Sequence, residues 1–141
     1  MAKRRGNIKK LPFCGDNLTD LLFRIIIDTI YHKIAAIKKK KNLTDPDITD
    51  PQKRRRAIYG IYDRERNEIY LSDSRCKHPT KASMVPSLIH EVLHAAIPLV
   101  FESRIDRLEV ILDTRLTDKQ KKYLRKFIPK HQVKIGPLPK L

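Results

Sequence analysis

Apolar residues recur at roughly helical spacing at Leu18, Leu22, Ile25, Ile26, Thr29, Ile30, Ile34 and Ile37. This pattern predicts an amphipathic helix capped by Asp16 or Asn17 and closed by the cations Lys38 to Lys41, where the helix dipole favours positive charge. Arg24, Asp28, His32 and Lys33 interrupt the stretch, so it reads as a core helix and not as a membrane span. Residues 42–52 carry two Asp-Pro pairs and no apolar period, the mark of a loop. From Ala57 to Asp73 the period shortens. Ile58, Tyr59, Ile61 and Tyr62, a polar turn over Asp63 to Asn67, then Ile69, Tyr70 and Leu71 predict a β-hairpin.

A second helix is expected from about Ala82, with Thr80 or Ser83 as cap and Pro86 in its first turn. Its inward positions are Val85, Leu88, Ile89, Val92, Leu93 and Ala96, and Pro98 stops it. A third helix should run from about Glu102 to Thr114, with Ile105, Leu108, Ile111 and Leu112 inward. A fourth should run from the cap Thr117 to Phe127. The remaining tail has three prolines and a candidate short strand at Gln132 to Ile135. The elements predict an α+β fold in which a small sheet packs on the second helix.

The chain of 141 residues suits one domain over 16–128, preceded by a basic arm (1–15) and followed by a Pro-rich tail (129–141). The basic start is not followed by the apolar run of a secretory signal, so the protein is expected in the cytoplasm, or the host cytoplasm if it is viral. Cys14 and Cys76 form no Cys-x-x-Cys pattern. A disulfide framework and a cysteine-rich zinc knuckle are therefore not indicated, and any zinc must use His and carboxylate.

Against this background one motif carries chemistry. His90-Glu91-Val92-Leu93-His94 sets two imidazoles one turn apart on one helix face, the spacing at which both can bind one zinc. Glu91, between them, is placed to act as general base toward a water at the metal's open position. A third protein ligand is needed, and the helix after Pro98 offers Glu102, Asp106 and Glu109, at i, i+4 and i+7 on one face. Spacing leaves them hard to separate, with Glu102 favoured. Those that do not ligate are expected to hydrogen-bond a ligand imidazole or to be solvated.

Three segments, "GIYDRERNEIYLS", "SLIHEVLHAAI" and "ESRID", resemble the catalytic core of small gluzincin-like metallopeptidases, including the ImmA/IrrE-like and SprT-like groups and their minimal counterparts in phages and mobile elements. The resemblance covers Ala57 to Asp113. It implies a zincin-like fold, a zinc cofactor, a protein or peptide substrate, Glu102 as third ligand with Asp106 as its helper, and an edge strand at Glu68, Ile69, Tyr70 and Leu71 to which an extended substrate adds. Ile105 stands where those families carry a small residue, and seven residues separate His94 from Glu102, fewer than in most members.

The charge enlarges the picture. The net charge is +15, and residues 1–66 hold 17 basic and 8 acidic side chains (+9), residues 67–113 hold 5 and 7 (−2), and residues 114–141 hold 9 and 1 (+8). Basic flanks around an acidic centre suggest non-specific nucleic acid as a further partner, contacted by Lys53, Arg54, Arg55 and Arg56 and by Lys121, Lys122, Arg125 and Lys126, with Tyr123 and Phe127 among the latter. No membrane partner is expected. The rival reading is a basic nucleic-acid-binding or structural protein of a virus or mobile element whose metal site is not catalytic.

Overall fold

In a computed structural model, the described residues are 11–40, 43, 59–73 and 81–130, the side chains of 81–83 excepted. The expected basic run Lys53 to Arg56, the loop before it, Cys76 and the strand at 132–135 lie outside them. The described residues form four helices and a three-stranded mixed sheet, an α+β arrangement.

Helix α1 (Asn17–His32) starts where expected: the Asp16 carboxylate accepts the Thr19 backbone N–H at 3.1 Å and also its hydroxyl. Asp20 then accepts the N–H groups of Cys14 and Gly15, both at 2.8 Å, pinning the segment that enters the helix. Leu11, inside the expected arm, is buried in the core. The buried stripe is Thr19, Phe23, Ile26, Ile27 and Ile30, while Leu18 and Ile25, expected inward, are exposed.

The end of α1 is a correction. The helix stops at His32, with Lys33 as C-cap, and Ala36–Lys40 is strand β1. Ile34 and Ile37 continue a helical count, but the backbone of 36–40 finds partners in another strand, and tertiary pairing overrides local propensity. The lysines hide the alternation because a Lys stem can be buried while its head finds a partner: Lys39 is only 8% exposed and its ammonium donates to the Lys130 carbonyl at 3.4 Å.

The hairpin forms as β2 (Gly60–Asp63) and β3 (Glu68–Ser72), joined through Asn67 at φ 53, a left-handed conformation that asparagine tolerates. The sheet order is β1-β3-β2. β1 pairs parallel with β3 (Ile37 opposite Ile69), and β2 pairs antiparallel with it (Tyr62 opposite Ile69). This overturns the expected substrate strand. Glu68, Ile69, Tyr70 and Leu71 lie in the central strand, where the ladders on both sides use the backbone groups a substrate would need, and Ile69 and Leu71 are fully buried. Among the described residues the free edges are β1 and β2.

Helix α2 (Lys81–Ala96) crosses the inner face of the sheet and is the centre of the core, with Leu88, Ile89, Val92, Leu93 and Ala95 buried. Pro86 is its sixth residue and so sits in the second turn, not the first, where its missing N–H removes one helical hydrogen bond. Helix α3 (Glu102–Arg115) returns along α2, anchored by Ile105 and Leu112; Ile111, expected inward, is exposed. Helix α4 (Asp118–Arg125) begins with a capping box in which Thr117 and Gln120 bind each other's backbone N–H. Leu124, Phe127 and Ile128 close the core. No described helix is long and apolar enough to cross a membrane.

Candidate metal centre

The turn at 97–101 reverses the chain so that the first residue of α3 meets the last two turns of α2. Three donor side chains converge there. Glu102 Oε1 lies 2.6 Å from His90 Nε2, Glu102 Oε2 lies 2.7 Å from His94 Nε2, and the two Nε2 atoms are 3.1 Å apart. Bonds of about 2.0–2.1 Å in a tetrahedral zinc site set donors roughly 3.3–3.4 Å apart, so the imidazoles need to part by about 0.2–0.3 Å and the carboxylate to draw back by about 0.6–0.8 Å to hold an ion. The donor chemistry, two imidazoles and one carboxylate, also suits zinc with a fourth position left open.

The other candidate carboxylates stand behind these three. Glu109 Oε1 is 2.9 Å and Asp106 Oδ1 3.3 Å from Nδ1 of His90, the ring nitrogen facing away from Glu102. A carboxylate on Nδ1 fixes the imidazole with its proton there and leaves Nε2 free to ligate. Spacing along α3 left Glu102, Asp106 and Glu109 unresolved; the structure separates them by which nitrogen of His90 each meets.

Glu91 sits between the imidazole pair and the seam of α2 with β2, one carboxylate oxygen lying within 4.8 Å of a ring nitrogen of both His90 and His94 and the carboxylate also packing against Gly60. It is 7% exposed, and the backbone of Tyr62 donates a hydrogen bond to it. Burial raises its carboxyl to about 7, helped by Glu102 and Glu109 and opposed by His90. Burial also lowers His94, joined by the nearby His90. At His90 burial works the same way, but Glu91, Glu102 and Glu109 outweigh it and the net shift is upward. Four carboxylates thus crowd two imidazoles inside a chain of net charge +15, a concentration of negative charge that a cation would relieve.

The seam is possible because of Gly60, which the sequence reading passed over. A Cβ there would lie 3.1 Å from the Tyr70 carbonyl oxygen, 3.2 Å from Glu91 Cγ and 3.3 Å from Glu91 Oε2. A lone glycine in a strand is itself a sign of close approach, and that sign was available. The cleft over the site has a volume of about 780 Å³; β2 contributes Gly60, Ile61 and Tyr62, α2 contributes Pro86 and Ser87 beside the motif, and Tyr59 and Arg64 flank it.

Of the other expected residues, Lys122 and Lys126 are exposed and Lys121 and Arg125 half-buried around α4, remote from this cleft, and Lys121 pairs with Asp113 at 3.5 Å. Phe127 is buried against Tyr31 and Tyr123 and is not available to a ligand. No protein-family profile, curated protein or solved structure matches the chain.

Proposed function

We propose that the chain is a zinc-dependent peptidase with a zincin-like fold, in which His90, His94 and Glu102 hold the ion and Glu91 is the general base. The observation that carries this reading is the meeting of three donor side chains from two helices, each pair with donor atoms within 3.1 Å, and a buried carboxyl alongside.

Bound zinc supplies Lewis acidity, which acidifies a water and polarises the carbonyl it faces. Glu91 takes a proton from the attacking water as the new C–O bond forms, and delivers it to the departing amine nitrogen as the C–N bond breaks. Burial favours this double duty, because it raises the proton affinity of the carboxylate. His90 and His94 hold position through the helix, and Glu109 and Asp106 hold the His90 ring.

Substrate alignment falls to β2. Ser72 N–H donates to the Tyr59 carbonyl at 2.9 Å, marking that pair as hydrogen-bonded; alternation then turns the backbone groups of Gly60 and the Tyr62 carbonyl to the open edge, while the Tyr62 N–H is held by Glu91. An extended peptide adding to this edge passes in front of Glu91. The expected substrate strand is thereby moved from β3 to β2.

The test is elemental analysis of protein purified without added metal, combined with cleavage of unfolded protein substrates. Near one zinc per chain, lost in His94→Ala and in Glu102→Ala, is expected, and Glu91→Gln should keep zinc while losing cleavage. Absence of zinc in the wild type even after reconstitution would overturn the reading.

A further inference from the structure

The sheet edge opposite the cleft has a different character. β1 carries Lys38, Lys39 and Lys40 in succession. The period of two sends Lys38 and Lys40 to the outer sheet face, beside Tyr70 of β3, and Lys39 to the inner one. The ammonium groups of Lys38 and Lys40 stand 5.8 and 6.0 Å from the centre of the Tyr70 ring. Arg66 is close enough to act on the charges of both Lys38 and Tyr70.

On the inner side, the contact of Lys39 with the Lys130 carbonyl draws the segment that follows α4 against β1. It places the exposed Lys130 beside this edge. A cation some ninety residues along the chain therefore joins the lysines of β1. Among the described residues the acids nearby are Glu68, engaged by Lys38 at 2.9 Å and by the Tyr70 hydroxyl at 2.8 Å, and Asp73, which follows β3.

We infer that this β1 edge binds single-stranded nucleic acid, with phosphates on Lys38, Lys40 and Lys130 and a base against Tyr70. Charge complementarity selects a polyanion, and the ring selects one with unpaired bases, since stacking on an aromatic side chain is the sequence-tolerant contact of single strands. Stacking a base returns more than an exposed cation–π contact, so an arriving base displaces a lysine from the ring and frees it to meet a phosphate. β3 separates this edge from β2, about 10 Å away at the usual strand spacing, so the strand and a substrate in the cleft can be held together.

The experiment is fluorescence anisotropy of a labelled 20-nucleotide oligodeoxythymidine titrated with the full chain between 50 and 200 mM NaCl. About three phosphate contacts at roughly 0.7 each give a log–log salt slope near −2. Lys40→Ala with Lys130→Ala should flatten it by about 1.4, the share of two phosphates. Tyr70→Ala should weaken binding at least fivefold with the slope unchanged, and Tyr70→Phe, which keeps the ring, should bind as the wild type does. His94→Ala should bind normally, which keeps this surface separate from the fate of the peptidase reading. An unchanged slope in the double lysine variant, wild-type affinity in Tyr70→Ala, or equal competition by a duplex of the same length would overturn it.

Discussion

Glu109 Oε1 lies 2.9 Å from Nδ1 of His90, across the imidazole from the Nε2 that meets Glu102. His90 is thus met on both ring nitrogens by residues of α3 two full turns apart, and in the proposed site the two contacts have different roles: Glu102 would share the ligand side, and Glu109, with Asp106 beside it, would set the tautomer. Removing such a partner commonly costs 10- to 100-fold in metal affinity. Glu109→Gln is expected to weaken zinc by about that factor in chelator competition, and Glu102→Ala to lose it. An affinity in Glu109→Gln equal to the wild type would show that the carboxylate does not orient the ring.

The acid–base state of Glu91 predicts a pH dependence. In metal-free protein its carboxyl is raised by burial to about 7 from an ordinary 4.5. A group that holds its proton more tightly when folded favours folding below its unfolded pKa, and that contribution is lost as pH rises through the folded one. His90, also raised, adds a decline of the same sign. Chelator-treated protein should lose stability between pH 5 and 8, by at most about 3 kcal/mol from Glu91. Glu91→Gln should flatten the profile and melt higher than the wild type at pH 8; parallel pH profiles for the two proteins would sink the assignment.

Gly60 makes a separate prediction, because its missing side chain is what admits Glu91 to the sheet. A Cβ would meet one backbone oxygen and two Glu91 atoms, all within 3.3 Å. The Tyr70 carbonyl is held in the ladder, so Glu91 is the part that must move. Gly60→Ala is expected to cost about 1–3 kcal/mol by denaturant unfolding, the usual range for overpacking, to keep its zinc, and to lose most peptide cleavage. Full activity with unchanged stability would mean that the seam has slack.

These residues also show what was legible from sequence. His90, Glu91 and His94 belong to one helix, so their geometry follows from i, i+4 spacing alone, and α2, α3, α4 and the hairpin announced themselves through local pattern. What failed was non-local. Whether Ile34 to Lys40 continues α1 or starts a strand depends on a parallel partner some thirty residues on, and Lys39 disguises an inward position. The misassigned edge has the same origin: the hairpin is visible in sequence, but β1 arriving beside β3 is not, and its arrival turns β3 from edge to centre. Which nitrogen of His90 each of the three α3 carboxylates meets waited on where the turn at Pro98 puts Glu102, a matter of packing and not of spacing.

The attachment of α4 to α1 rests on another such non-local contact. Gln120 is fully buried; its amide nitrogen donates to Asp20 Oδ1 at 3.0 Å, its amide oxygen accepts the Thr117 N–H at 3.0 Å, and its own N–H donates to Thr117 Oγ1 at 3.2 Å. Gln120→Ala keeps only the last of these. A lost cap is worth about 1 kcal/mol, and a lost intramolecular hydrogen bond about 0.5–1.5 kcal/mol. The expected cost is therefore about 1.5–2.5 kcal/mol in urea unfolding. Asp20 also binds Cys14 and Gly15, so Asp20→Ala removes two further contacts, and a double-mutant cycle with Gln120→Ala isolates the shared one. The cycle should give a coupling of at least about 0.5 kcal/mol. Strict additivity of the two substitutions would mean that α4 is held by Leu124 and Phe127 alone, and that the bond to Asp20 contributes nothing to docking.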